Sequence, residues 1–207
     1  MNRTFLIFLM IGTAMMIAVI GQHEPTAQLD TMPWEVDKLK NGSLRVFGIT
    51  LGKTSIQDAN QIFASFAETR LQITTDSNDY KTYQLIANYN ELIIGGLITK
   101  ITLTYQLNQD ELEEIANSVK NISNTQRIQF HPIDNKTEMR YLNTAISTIT
   151  YIPSVDYGLD TIRQNFGMAT EEKPLDEDAQ LWIYPEMGLH IHIYKNKLDR
   201  FVYAPLK

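Results

Sequence analysis

The chain contains no cysteine among its 207 residues. That absence removes disulfides, thiolate metal sites, thiol nucleophiles and any cysteine-borne lipid anchor together. Motifs of the common chemistries are missing as well. There is no nucleophile elbow, phosphate-cradling loop, zinc-protease helix or calcium loop. Gly95-Gly96 lacks the further glycines of a dinucleotide fingerprint and reads as a turn. Positive charge is scarce: 18 Lys and Arg stand against 24 Asp and Glu, a net charge of −6. Phosphate backbones need clustered Lys and Arg, so nucleic acid is not an expected partner. An acidic surface also disfavours lying flat on anionic lipid, and it serves solubility. The acidic runs Glu113-Glu114, Glu171-Glu172 and Asp176-Glu177-Asp178 fall on a helix face or in a loop. General acid–base work needs a carboxyl perturbed in a cleft, so these read as solvated. The sequence therefore implies neither a cofactor nor an enzyme.

Charge of either sign is absent from Thr4 to Gly21. A helix of that length rises roughly 27 Å, close to the thickness of a bilayer's hydrocarbon core. Arg3 precedes the run, and the first charged residues after it are acidic: Glu24, Asp30 and Glu35. Positive charge stays cytoplasmic, which places residues 22–207 outside, in a bacterium the periplasm. The expectation is a single-pass inner-membrane protein anchored by residues 1–21, touching the bilayer through residues 4–21. The alternative is a cleaved signal, with Val19-Ile20-Gly21 as a passable site, leaving a soluble periplasmic protein.

Residues 22–42 are polar and read as a tether, with Trp34 expected to cap the core of the first module. Residues 43–121 read as a first α+β module. Leu44–Thr50 is a strand, and Thr54–Phe66 a helix with Thr54 and Gln57 as its capping box. Ile56, Ala59, Ile62, Phe63 and Phe66 form its buried stripe. Strands follow, among them Tyr80–Tyr89 and Leu97–Tyr105. In the latter, Leu97, Ile101, Leu103 and Tyr105 alternate with Lys100 and Thr102, as in a sheet with one covered face. Asn108 caps a second helix, Asn108–Lys120. Residues 122–147 read as a connector. Residues 148–207 read as a second α+β module: a strand at Ile149–Ile152, then a helix at Asp156–Phe166. Leu159, Ile162 and Phe166 face inward on that helix, and Gly167 stops it. A loop at 168–180 precedes three strands, Leu181–Tyr184, Leu189–Tyr194 and Arg200–Tyr203.

The two halves repeat one plan of strand, amphipathic helix ending in Phe, loop and meander. In the second half the motifs are Ile162-x-x-x-Phe166-Gly167, Tyr184-Pro185-x-x-Gly188-Leu189 and Phe201-Val202-Tyr203. That half resembles the helix-plus-meander module of the outer-membrane assembly lipoprotein BamE and of β-lactamase-inhibitor-protein-like folds. Phe47-Gly48-Ile49-Thr50-Leu51-Gly52-Lys53-Thr54 resembles the glycine-led helix start of the same modules. Pro33-Trp34-Glu35, Arg45-Val46-Phe47-Gly48 and Leu51-Gly52 make the whole chain similar to a proteobacterial membrane-anchored protein family of unassigned function. BamE-type proteins carry a lipidated cysteine, which this chain lacks. The resemblance implies two tandem helix-plus-antiparallel-meander modules that pack together or share a sheet. It also implies a non-catalytic binding role toward an envelope or inner-membrane protein complex, as assembly factor or accessory subunit. An uncovered sheet face or the 168–180 loop is the expected contact surface.

One constellation could carry chemistry. On a strand, His190 and His192 point to the same face with Tyr194, opposite Leu189, Ile191 and Ile193. Two imidazoles at this spacing can chelate Zn²⁺ or Cu²⁺ if a third ligand approaches, and Glu186 and Met187 are near in sequence. His190 and His192 are thus the candidate metal or ligand site, and an exposed polar strand face is the alternative reading.

Overall fold

Period-two alternation organises the strands, the commonest element among the described residues. The computed structural model describes residues 28–119 and 127–206. In chain order, β1 (Gln28–Leu29) precedes β2 (Asp37–Lys38), β3 (Leu44–Val46), β4 (Ile49–Thr50) and helix α1 (Ile56–Ile62). A meander follows, β5 (Glu68–Thr75), β6 (Lys81–Ile94) and β7 (Leu97–Tyr105), then α2 (Gln109–Ser118), β8 (Ile128–Pro132), α3 (Asn135–Tyr141) and β9 (Ile146–Pro153). Helix α4 (Leu159–Phe166) leads into β10 (Glu171–Asp176), β11 (Ala179–Tyr184), β12 (Leu189–Tyr194) and β13 (Arg200–Tyr203).

The expected pair of tandem modules is not what forms. The chain builds one 10-stranded sheet in the order β10-β11-β12-β13-β9-β7-β6-β5-β8, with β1 added parallel to β6. Strand β9 lies between β7 and β13 and pairs antiparallel with both. The physical reason is edge closure. Two separate meanders would each leave strands with unpaired backbone groups and would each bury a small core. Pairing both through β9 removes those edges and merges the cores. Buried residues from both halves form a single cluster.

Register shows how the core spans the sheet. Ala87, Leu103, Ile149, Tyr203, Leu189 and Tyr184 lie side by side in one row. Tyr89, Ile101, Tyr151, Phe201, Ile191 and Trp182 form the next row, and all of these side chains are buried. The helices cover this face. Phe63, at the end of α1, meets Tyr89 edge-on with ring centroids 4.9 Å apart. Leu112, Ile115 and Ala116 of α2, Tyr141 of α3, and Ile162 and Phe166 of α4 join the same core. The opposite face of the sheet carries no helix among the described residues.

Local expectations meet mixed outcomes. Strand β7 and helix α2 form where the pattern places them, and Asn108 with Glu111 closes a capping box. Helix α1 is shorter than expected and is capped by Ser55 with Asp58, because the Thr54 hydroxyl accepts from Thr50 N–H instead. Ala64, at φ 43, ends that helix early and leaves Phe66 90% exposed rather than inward. Ile162 and Phe166 are buried as expected, while Leu159 opens α4 and is 40% exposed. The supposed tether is structured from residue 28. Tyr203 OH donates to Pro33 O at 2.5 Å, and Trp34 packs edge-on against Tyr157 and Phe166. Trp34 therefore seals the second half of the chain, not the first. The supposed connector supplies β8, α3 and the start of β9. The 168–180 loop supplies strand β10. The apolar run at 4–21, with its anchor and signal readings, lies outside the described residues. Among those described, no helix is long and apolar enough to cross a membrane.

Candidate functional site

Alternation turns the other half of each strand's side chains, polar on most strands and apolar on β11, to the helix-free face. Asn88, Thr102, Thr150, Val202, His190 and Ile183 run in one row across it. Thr104 and Thr148 are partners in an adjacent row. Thr102 Oγ1 donates to Asn88 Oδ1, and Thr148 Oγ1 donates to Thr104 Oγ1, each at 2.8 Å. β-Branched threonine suits a pleated surface, and hydroxyls that bond one another hold their rotamers before any ligand arrives. At one rim, Ile128 and Phe130 of β8 are each 50% exposed beside Thr74 and Gln72.

The structure brings His190 and His192 onto this face together. His190 is exposed between Ile183 and Val202, and His192 is half-buried between Leu181 and Arg200. The His192 ring stacks on Tyr194, with centroids 6.3 Å apart and an interplanar angle of 17°. Arg200 Nη2 donates to Tyr194 OH at 3.0 Å, and Lys197 Nζ sits 3.8 Å from the Tyr194 ring centroid. Burial holds the His192 pKa below its usual value, and the charges of Arg200, His190 and Lys197 lower it further. The third metal ligand does not arrive. Glu186 pairs with Lys38 at 3.1 Å, and Met187 packs against the core. No group of three His, Asp or Glu side chains that could hold a metal occurs among the described residues. The imidazoles are flanked by the apolar side chains of Ile183, Val202 and Leu181, with Arg200 beside His192.

A second feature carries no sequence signal. A cavity of about 450 Å³ opens beside the start of α4, lined among others by Asp156, Asp178, Ile193, Lys195 and Asp199. Asp199 is 1% exposed, accepts a hydrogen bond from Tyr194 N–H at 3.0 Å, and shares a hydrogen bond with the Asp156 side chain. Burial is the main cause that pushes the Asp199 carboxyl up to about 6, with the Asp156 charge and hydrogen bond adding and the Tyr194 N–H opposing. The two carboxyls sit on segments that are far apart in sequence, so no spacing rule finds them.

Asp199→Asn tests this pair. The raised folded pKa means the folded state binds the proton more tightly than the unfolded chain. The carboxyl therefore costs nothing below the unfolded value near 3.8, and destabilises increasingly as pH climbs to about 6. An asparagine keeps an oxygen for Tyr194 N–H and gives Asp156 a permanent donor. The variant should be more stable than the parent by on the order of 2 kcal/mol above about pH 7, converging with it near pH 4. Urea midpoints at the two pH values decide this. A variant that is weaker at neutral pH would show that the ionised carboxylate is stabilising.

Fold and site together define a mainly antiparallel-sheet protein, its helices on one face of a 10-stranded sheet and the other face left open. No family model, curated protein or solved structure matches the chain.

Proposed function

We propose that the protein is a non-catalytic binding module of the cell envelope that docks another envelope protein on the open face of its main sheet. The observation that carries this reading is the one-sided cover: a sheet of 10 strands with helices on one face and a self-bonded polar pavement on the other. A preordered surface loses little conformational entropy on binding. The sheet's outer strands are poor templates for strand addition. β10 carries Glu171, Glu172, Lys173 and Pro174, and β8 ends at Pro132. That leaves the face as the docking surface. The uncharged run at 4–21 supports an envelope address, either as a retained single-pass anchor or as a removed signal.

A photo-crosslinking residue at Thr150, in cells making the full chain, tests the reading. The same residue at Gln57, on the exposed side of α1, is the comparison. A discrete protein adduct from Thr150 and none from Gln57 is expected. Adducts from Gln57 alone, or from neither position, would retire the open face as a docking surface. Intact mass of the membrane-extracted protein separates the two addresses: a start at Met1 means an anchor, a start near Gln22 a signal.

A further inference from the structure

We infer that the partner presents carboxylates to the centre of the open face, so that the occupant is an acidic protein segment; this rests on the open-face reading. The chain has 24 Asp and Glu, yet β7, β9, β13 and β12, four neighbouring strands at the middle of the sheet, contain none. Those same strands place Lys100, Arg200, His190 and His192 on the bare face. Toward the rims, cations are neutralised at home: Arg70 pairs with Glu68 at 2.5 Å and Lys173 with Glu171 at 2.9 Å. At the centre, neither Lys100 nor Arg200 meets a carboxylate among the described residues.

Positive charge gathers around His192, and Glu186, which lines a hollow with His190, is paired with Lys38. Beyond burial, the charges that lower the His192 pKa are those of Arg200, His190 and Lys197. Its partner on β11, Leu181, is uncharged, as is Ile183 opposite His190, and on β13 the face continues with Val202 beside Arg200. In a protein of net charge −6, this patch is where a negative group meets attraction rather than repulsion. Nucleic acid and anionic lipid fit less well. Both need many cations to offset long-range repulsion from an acidic chain, and the centre offers only a few fixed ones. A docked carboxylate favours the charged form of His192, so binding should tighten as pH falls.

The probe is a fluorescein-labelled decaglutamate peptide, titrated at low salt against the full-length protein in detergent. Saturable binding is expected, roughly fivefold tighter at about pH 5.5 than at about pH 7.5. The Lys100→Gln/Arg200→Gln double variant should weaken it about tenfold, and His192→Gln should flatten the pH response. Lys136→Gln, on α3 across the molecule, should leave it unchanged. Urea midpoints confirm that each variant is folded. Absence of saturable binding, equal weakening by Lys136→Gln, or tighter binding of a thymidine decamer or phosphatidylglycerol vesicles would overturn the inference. If Thr150 still cross-links a protein while decaglutamate fails, the face docks a partner that is not acidic. If both fail, the open-face reading falls with it.

Discussion

Replacing Phe201 by alanine is expected to remove about 3–5 kcal/mol of folding stability, the range for truncating a fully buried aromatic. Phe201 is 0% exposed and stands at the seam of the sheet, on the strand that β9 joins to the first half. Its ring meets Tyr151 at 5.6 Å, Phe166 at 5.7 Å and Tyr157 at 5.8 Å between centroids. These partners come from β9, from α4 and from the loop between them, so none can close on the vacated space without moving an element. Interior packing is dense enough that such a void stays largely open, forfeiting both transfer and dispersion energy. Urea denaturation followed by Trp182, buried on the same face, reports the loss. A change under about 1 kcal/mol would mean that the two halves do not share this core.

Gly188→Ala should destabilise by about 3 kcal/mol or more, for two reasons that add. The residue sits at φ 55 and ψ 28, in the left-handed region, after the 3-10 turn Pro185–Met187. A side chain there costs about 1 kcal/mol before any contact is considered. The added carbon would also be driven into the carbonyl oxygen of Ala204 and to 2.5 Å from Leu44 Cδ1. The first obstacle is backbone, held by the Ala204 N–H to Gly188 O bond at 2.8 Å, and cannot swing aside. The second belongs to β3, so the clash falls where the small sheet β2-β3-β4 meets the large one. The same urea experiment measures it. Parental stability would show that the Ala204 segment is free to retreat.

These two positions also show how unevenly the fold can be read from sequence. Local pattern alone places Gly188 in the turn between two strands and Phe201 within a strand. That they mark contacts between distant parts of the chain was not legible. β10 escaped because all of its residues are exposed, so no alternation advertises it, and Pro174 argues against a strand. Sequence distance assigns Trp34 to the nearest module. The structure docks it against Tyr157 and Phe166, on the other half. At the candidate site, the shared face of His190, His192 and Tyr194 followed from the strand period. Arg200 and Lys197 reach that face through strand pairing and a turn. Asp199 and Asp156 meet only because a turn and a loop converge beside the cavity.

The sequence by itself determined whatever depends on residues a few positions apart. It settled the alternation of β7 and β12, the Asn108 cap, the Gly167 stop, and the chemistry that a chain without cysteine cannot perform. These are local because a side chain's face and a helix end are set by backbone periods of two and 3.6 residues. The tertiary structure alone decided that β9 would pair with both β7 and β13, turning two expected modules into one sheet. It also decided which face would stay bare. Strand pairing is chosen by unpaired backbone edges seeking partners and by apolar faces seeking a common core. Every strand offers the same backbone groups, so its choice of neighbour leaves little mark on its own residues.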